Sequence, residues 1–511
     1  MRRVVENKKA QREVWSVERN RPTTTTLDLD STMNTLMPII EMFRPAFTAP
    51  TFENFRYLIV AWITCGQAKI SDLLRARRHL AELVPKQNGD PKHFSAFYRF
   101  FTERNWSLDQ LGRILARAFE SRLGDEVKVL VDDTIFRRTG PQILGGGVHY
   151  DPLASTYSGS SGRQTQFAFG LKFVVLAIRV PVGFVQSGGI AVPVLFRLYR
   201  TPKTCSKEEH TKFTILGAEL IGIVEKWWPD RRILNLGDQD YASGTVLARV
   251  APETEVAGPL PMDARLRDPE FSQTPGPGRP RIWGKSLPSP NELAADEAIP
   301  WETVQLEMYG DEVTLQVKTI QAQWKAAPAD QTLTVVVTRD PSGRLDDRAF
   351  FRTRPDASLQ EVLVEFSRRW DIETCIRDGK QFFSLEEVQN GFERGETRAD
   401  TTEPGPRADT ERDPTASRRT IPVGMLAYAI VVVWYLEHGN PDRDIEWAKY
   451  LAPWYTHKDS ISFRDMLQSC RRQIDIEGFS DTPAEDRVFK KTPGDFGIDP
   501  PPEPYEARSR S

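Results

Sequence analysis

Two short apolar runs, residues 127–131 and 233–237, each lead directly into an aspartate, and between them lies a longer apolar, β-branched stretch, residues 167–180. Runs of this length are too short for buried helices and have the composition of buried strands. Residues 192–198 are a weaker strand candidate. A helix is expected before the second run: Ser206 and Glu209 have capping-box spacing, and Ile215, Leu216, Leu220 and Ile223 recur at helical spacing up to Trp227. Strands, a helix and a further strand in that order make a mixed α/β core. Asp132 and Asp238 close the two short runs, so neighbouring strand ends would present both carboxylates at one edge of the sheet.

The flanking chain has a different period. Residues 1–30 are polar and mixed in charge and are expected to be a flexible arm. Residues 31–123 are helical in pattern. Phe55, Leu58, Ile59 and Trp62 recur at helix spacing, and so do Leu73, Leu74, Leu80 and Leu83 on a basic segment carrying Arg75, Arg77 and Arg78. This is an all-α N-terminal domain that either binds DNA or carries an ordinary solvated basic face. The core occupies residues 124–251 and 356–390. Residues 252–355 interrupt it as a β-rich insertion, with a hairpin turning at Gly310 and Asp311 and a strand at 332–338. Ser358 and Glu361 have capping-box spacing, and the helix they start should run to about Phe383. Residues 391–419 are expected to be a disordered loop, 420–490 a helical C-terminal part and 491–511 a disordered tail.

Several function classes are excluded. Cys65, Cys205, Cys375 and Cys470 form no Cys-x-x-Cys pair, so a zinc site built on one is not expected, and so few cysteines in 511 residues fit a reducing cytoplasm. Gly145, Gly146 and Gly147 lack the Gly-Lys-Ser/Thr that would follow in a nucleotide-binding loop. The glycines and serines at 159–162 lack nucleophile-elbow spacing. The uncharged stretch 421–436 is shorter than a bilayer span and reads as a buried core helix, so a soluble protein without a membrane partner is expected. A net charge of −3 does not exclude a DNA enzyme, because local patches govern phosphate contact.

A third acid completes a constellation. Phe366, Arg369, Glu373 and Lys380 are spaced to share one helix face, with cations four residues before and seven after the glutamate. Magnesium prefers such oxygen ligands, and two ions can activate the attacking oxygen and stabilise the leaving one in phosphoryl transfer. Each acid alone is ordinary among the 71 in the chain, and an Arg four residues from a Glu is commonly a surface ion pair. Convergence would decide, since three carboxylates meet only around a cation.

With these residues the chain resembles the DDE transposases of bacterial insertion sequences, which share a ribonuclease-H-like fold with retroviral integrases. Phe366, Arg369, Glu373 and Lys380 have the spacing of that family's Tyr-(2)-Arg-(3)-Glu-(6)-Lys signature, with Phe in place of Tyr. Asp132-Asp133-Thr134 matches its Asp-x-Thr, with Asp133 as second choice, and Asp238-Gln239-Asp240-Tyr241 matches its Asp-x-x-Tyr, with Asp240 as fallback. The insertion is similar to that of the cut-and-paste subgroup.

The resemblance implies a ribonuclease-H-like mixed sheet core, cleavage of DNA ends and strand transfer. It implies two Mg2+ ions, with Mn2+ as an alternative, on Asp132, Asp238 and Glu373. Arg369 and Lys380 would position the DNA backbone. Partners would be double-stranded DNA, as inverted-repeat ends and target, and a second copy in a homodimer on DNA. The expected location is the bacterial cytoplasm, at the nucleoid. Arg279, Arg281 and Lys285 in a glycine-containing loop, and Arg137 and Arg138 after the first acid, are further candidates for DNA contact. Trp283, Trp301 and Trp324 are candidates to hold a flipped base, against the commoner role of buried tryptophan. The rival readings are an inactive transposase-derived DNA-binding regulator and a nuclease without a joining step.

Overall fold

The computed structural model describes residues 35–66, 69–75, 85–87, 90–102, 105–138, 143–151, 155–158, 162–164, 166–270, 282–387, 415–454 and 456–479. The expected arm and tail, Arg77, Arg78, Leu80, Leu83, Arg279, Arg281 and most of the expected loop at 391–419 lie outside these residues. The last five residues of that loop are helical in the structure.

Among the described residues the longer N-terminal helices, α1 (Ala49–Cys65), α2 (Ser95–Thr102) and α3 (Leu108–Ala118), together with shorter helical segments at Met37–Glu41 and Ile70–Arg75, precede strand β1 (Glu126–Arg137). Next come β2 (Gly147–Tyr150), β3 (Phe167–Pro181), β4 (Gly189–Tyr199), α4 (Phe213–Trp227), β5 (Arg232–Gly237) and β6 (Glu255–Leu260). The core strands lie in the order β4-β3-β1-β5-β6. β3 runs antiparallel to both β1 and β4, whereas β5 is parallel to β1 and β6 parallel to β5. This is the expected mixed α/β, ribonuclease-H-like core.

Alternation along β1 sorts its side chains. Val127, Val129 and Val131 face α4, where the Val131 side chain approaches Gly217. Lys128, Leu130 and Asp132 face the opposite side, where Lys128 pairs with Glu365 at 2.6 Å. With helices on both faces, the central strands are buried on both sides, which is why their sequences read as nearly continuous apolar runs.

The insertion departs from expectation in where it starts and how it attaches. β6 is the fifth core strand, so the interruption begins after Leu260 rather than at residue 252. Its strands β7 (Glu302–Met308), β8 (Asp311–Trp324), β9 (Thr332–Arg339) and β10 (Arg348–Arg352) extend the core sheet, because β10 pairs antiparallel with β6. Tyr309 and Gly310 form the hairpin tip between β7 and β8, both at positive φ, 57° and 88°.

Two helix expectations also need correction. Ser206 and Glu209 do exchange capping bonds, at 3.2 and 3.3 Å, but these close an isolated turn. The helix starts only at Phe213, whose ring packs on Tyr199 and Tyr241. The helix from Ser358 is not continuous. Its capping bonds form, but residues Gln360–Val364 wind as a wider π-helix, a short α-turn covers Glu365–Ser367, and α5 (Trp370–Phe382) starts afresh after Arg368 and Arg369.

The C-terminal part comprises α6 (Thr415–His438), α7 (Pro441–Leu451) and α8 (Phe463–Phe479). α6 is long and apolar enough to cross a membrane, yet its most apolar window is 94% buried inside the protein. It packs against α1, α3, α8 and β4. One apolar cluster runs from Leu36 and Trp62 through Leu115 and the sheet to Tyr428 and Leu467. The N-terminal helices are therefore built onto the core rather than set apart from it.

Candidate active site

The parallel register of β1 on β5 ends at Val131 opposite Gly237. Asp132 and Asp238 are the next residue on each strand, so the pairing delivers them side by side, where neighbouring strands lie about 4.8 Å apart. Asp132 does not end its strand as the sequence suggested: β1 continues along β3 to Arg137, and only β5 stops. β5 stops because the chain folds back at once. Asp238 Oδ1 accepts the backbone N–H groups of Asp240 and Tyr241, both at 3.0 Å. Gly237 allows this closure, since a Cβ there would lie 2.5 Å from the Tyr241 carbonyl carbon. Asp132 Oδ1 likewise accepts the Asp133 N–H at 2.7 Å. Each aspartate thus has Oδ1 held by backbone, and Asp132 turns its Oδ2 to a side chain at the start of α5.

The third acid reaches the same place from α5. Arg369 bridges the elements: its guanidinium donates to Asp132 Oδ2 at 3.3 Å and to Glu373 Oε1, one turn along the helix. It also lies over the Phe366 ring, 5.8 Å from the centroid. Arg369 is drawn electrostatically to Asp132, Glu373 and Asp238 alike. Burial pushes the Asp132 carboxyl up to about 7, opposed by Arg369 and reinforced by the Asp238 and Asp133 charges. Asp238 is also raised, first by burial. Folded Asp132 thus holds its proton more tightly than the unfolded chain does. In the absence of a cation the fold loses stability as pH rises from 3.8 to about 7, where the ionised form must be carried.

Among the described residues no three acidic, histidine or cysteine side chains already surround a common point as a closed metal cage. The donor set nevertheless suits a hard divalent cation: carboxylate oxygens only, mutually repelling and partly buried, with Arg369 as the single positive charge among them.

The other residues singled out in the sequence are less uniform. Lys380 is half-buried and donates to the Ile135 carbonyl at 2.7 Å and to Glu386 at 3.3 Å. Arg138 donates to the Glu386 and Leu385 carbonyls, and burial lowers it to about 10. Against the expectation of phosphate contact, both cations are already engaged by the protein. Arg137 is half exposed and pairs with Asp151 at 2.5 Å. Lys285 is exposed in the insertion. Trp324 packs on Phe351 in the insertion core, and Trp301 lies beneath Lys318 and Arg339.

Asp133, the second choice for the first acid, turns to the other face of the sheet, where it pairs with Lys172 at 2.8 Å and accepts from the Tyr241 hydroxyl at 2.9 Å. Asp240 is held beside Asp238 without a strand partner of its own.

The structure adds residues that spacing did not reveal. Buried Asn235 donates to the Tyr241 carbonyl at 2.9 Å and so braces the turn that carries Asp238. A polar residue inside an otherwise apolar strand was its only sequence signal. Tyr309 at the hairpin tip is 60% exposed and lies within electrostatic reach of Arg369 and Glu373. Its signal was the turn residue Gly310 that follows it.

The family model of the DDE superfamily endonucleases matches residues 43–328, which include both aspartates and stop short of Glu373. No curated protein matches the chain. Nucleases of this superfamily generally use divalent metal ions and act on DNA. The match spans more than half of the 511 residues and agrees with the mixed sheet and its paired aspartates, so the chain belongs to the DDE superfamily endonucleases and is of the DDE-transposase type.

Proposed function

We propose that this protein is the transposase of a bacterial insertion sequence, cutting the ends of its element and joining them to target DNA. The observation that carries this reading is the register of β1 on β5, which sets Asp132 beside Asp238 while Arg369 ties Glu373 to the same pair. Asp132, Asp238 and Glu373 would hold two Mg2+ ions, with Mn2+ as a substitute. Bound there, the ions supply charge stabilisation for in-line displacement at phosphorus. Arg369 has a planar fork suited to phosphate oxygens and is placed to pass from the carboxylates to the DNA backbone. Arg137 and Lys285, together with Arg279 and Arg281 of the sequence, would supply further cations for the DNA backbone. Hydrolysis that frees a 3′-hydroxyl and attack by that hydroxyl on a second strand are the same displacement with different nucleophiles, so one site serves both. Joining two ends requires both to be held together, which favours a homodimer acting on nucleoid DNA.

The test uses the full chain, Mg2+ and a linear duplex carrying the DNA that flanks the gene. The expected products are breaks with free 3′-hydroxyls at the borders of inverted repeats, followed by joining to a supercoiled target. Cutting without joined products would support a nuclease instead. DNA binding with no cutting in Mg2+ or Mn2+ would support the inactive regulator.

A further inference from the structure

α5 follows the short α-turn Glu365–Ser367 through a tightened turn. Between Ser367 and the first turn of α5, Arg368, Arg369, Asp371 and Ile372 each donate three residues back rather than four, so the winding tightens there while the backbone stays helical. Glu373 sits in that first turn, and a modest rotation would carry its carboxylate away from Asp132 and Asp238.

Besides Arg369 on Asp132 and Lys380 on the Ile135 carbonyl, one buried ion pair ties the first turn of α5 to the sheet. Arg179 lies on β3, on the same face of the sheet as Asp132, because Ile178 pairs with Val129 and Val175 with Asp132. Its Nε donates to Asp371 Oδ2 at 2.8 Å, and both side chains are more than nine-tenths buried. The same guanidinium donates to the Ser187 carbonyl at 2.7 Å. It lies flat against Gly189, where a Cβ would come within 2.5 Å of its central carbon. Glycine there leaves room for the arginine.

The loop so gripped, residues 182–188, is held from two other directions. Its Phe184 carbonyl accepts the Ile461 N–H at 2.8 Å, and Gln186 lies against Gly310, next to Tyr309. A buried ion pair is seldom more stabilising than an apolar pair of the same volume, so its value here lies in direction rather than strength.

We infer that Arg179 and Asp371 are positioning residues that set the first turn of α5 and thereby hold Glu373 within reach of the metal-binding aspartates. This rests on the proposed three-acid site. The pair touches neither DNA nor the reacting atoms. It acts through the helix.

The test compares the wild type with the apolar double variant Arg179→Met/Asp371→Leu and with Asp371→Glu, which keeps the charge but lengthens the tether by one methylene. Three quantities are read on the full chain: Mn2+ binding to the free protein by electron paramagnetic resonance, affinity for end DNA without metal, and kcat with KM for cleavage. The apolar double variant should fold, bind DNA as the wild type does, bind Mn2+ about 10- to 100-fold more weakly and lose kcat on the same scale with KM little changed, the scale on which losing groups that orient metal ligands acts. Asp371→Glu should fold and show a smaller shift in the same direction.

A folded double variant with wild-type Mn2+ binding and kcat overturns the inference. So does a loss of DNA affinity in parallel with kcat. If the double variant does not fold, Asp371→Glu decides, and wild-type Mn2+ binding there overturns it. If the wild type itself cuts no DNA but binds Mn2+ in a Glu373-dependent way, the function proposed above fails while the positioning role is still read from Mn2+ binding.

Discussion

Replacing Glu373 by Gln lowers Mg2+-dependent cleavage of end DNA by on the order of 10³-fold, the scale of removing one principal electrostatic element from a transition state. DNA affinity stays near that of the wild type. The amide has the shape of the carboxylate and can still accept from Arg369 through its oxygen, so the local packing survives while the charge is lost. Asp132→Asn and Asp238→Asn should behave alike, since the register places them as equals. Asp133→Asn and Asp240→Asn are the controls. Asp133 looks away to Lys172 and Tyr241, and its amide should leave cleavage within about tenfold of the wild type, as for a residue that supports rather than forms the site. The measurement is single-turnover cleavage of labelled end DNA, with anisotropy for binding. Loss of binding in step with cleavage in Glu373→Gln would contradict the role assigned to it.

Replacing Arg352 by Met destabilises the fold by about 3–5 kcal/mol, the usual cost of removing one partner from a buried ion cluster. Arg352 is 1% exposed and holds Glu126 at 2.9 Å and Glu255 at 2.5 Å, tying β10 to the first residues of β1 and β6. Without it the two carboxylates remain, partly buried, with Lys128, Arg232 and Arg354 at the margin of ion-pair range. Adding Glu126→Gln and Glu255→Gln should recover most of the loss, because the uncompensated charge rather than the missing side chain is the main cost. Glu126 is six residues before Asp132, roughly 20 Å away along a strand, so cleavage per folded molecule should be unchanged. Urea unfolding followed by circular dichroism reads the first effect, and a cleavage assay well below the unfolding midpoint reads the second.

Much of the core was legible because burial on both faces leaves a plain mark. The runs at 127–131, 167–180 and 233–237 became β1, β3 and β5, and the hairpin signal at Gly310 became the β7–β8 turn. What escaped depends on partners distant in sequence. β6 reads as a stretch at the start of the insertion, and only its parallel pairing with β5 makes it a core strand. The interruption before α5 is invisible to a seven-residue count, because the turn at Arg368 and Arg369 stays helical enough for Arg369 to lie over Phe366 and still reach Glu373. Spacing could nominate Lys380 and Arg138, but it could not show that Glu386 and the carbonyls of Ile135 and Leu385 already hold them. Arg179 and Asp371 are 192 residues apart and match no motif, so nothing short of the fold could have joined them.

The central claim is that Asp132, Asp238 and Glu373 share one divalent-metal site. Anomalous scattering from crystals of the full chain bound to end DNA with Mn2+ tests it most directly. The account predicts Mn2+ peaks about 4 Å apart, bounded by oxygens of these three residues, with Arg369 turned from the carboxylates to a phosphate. Peaks ligated by Asp133 or Asp240 instead, or acids still closed on Arg369 with Mn2+ bound elsewhere, would contradict it.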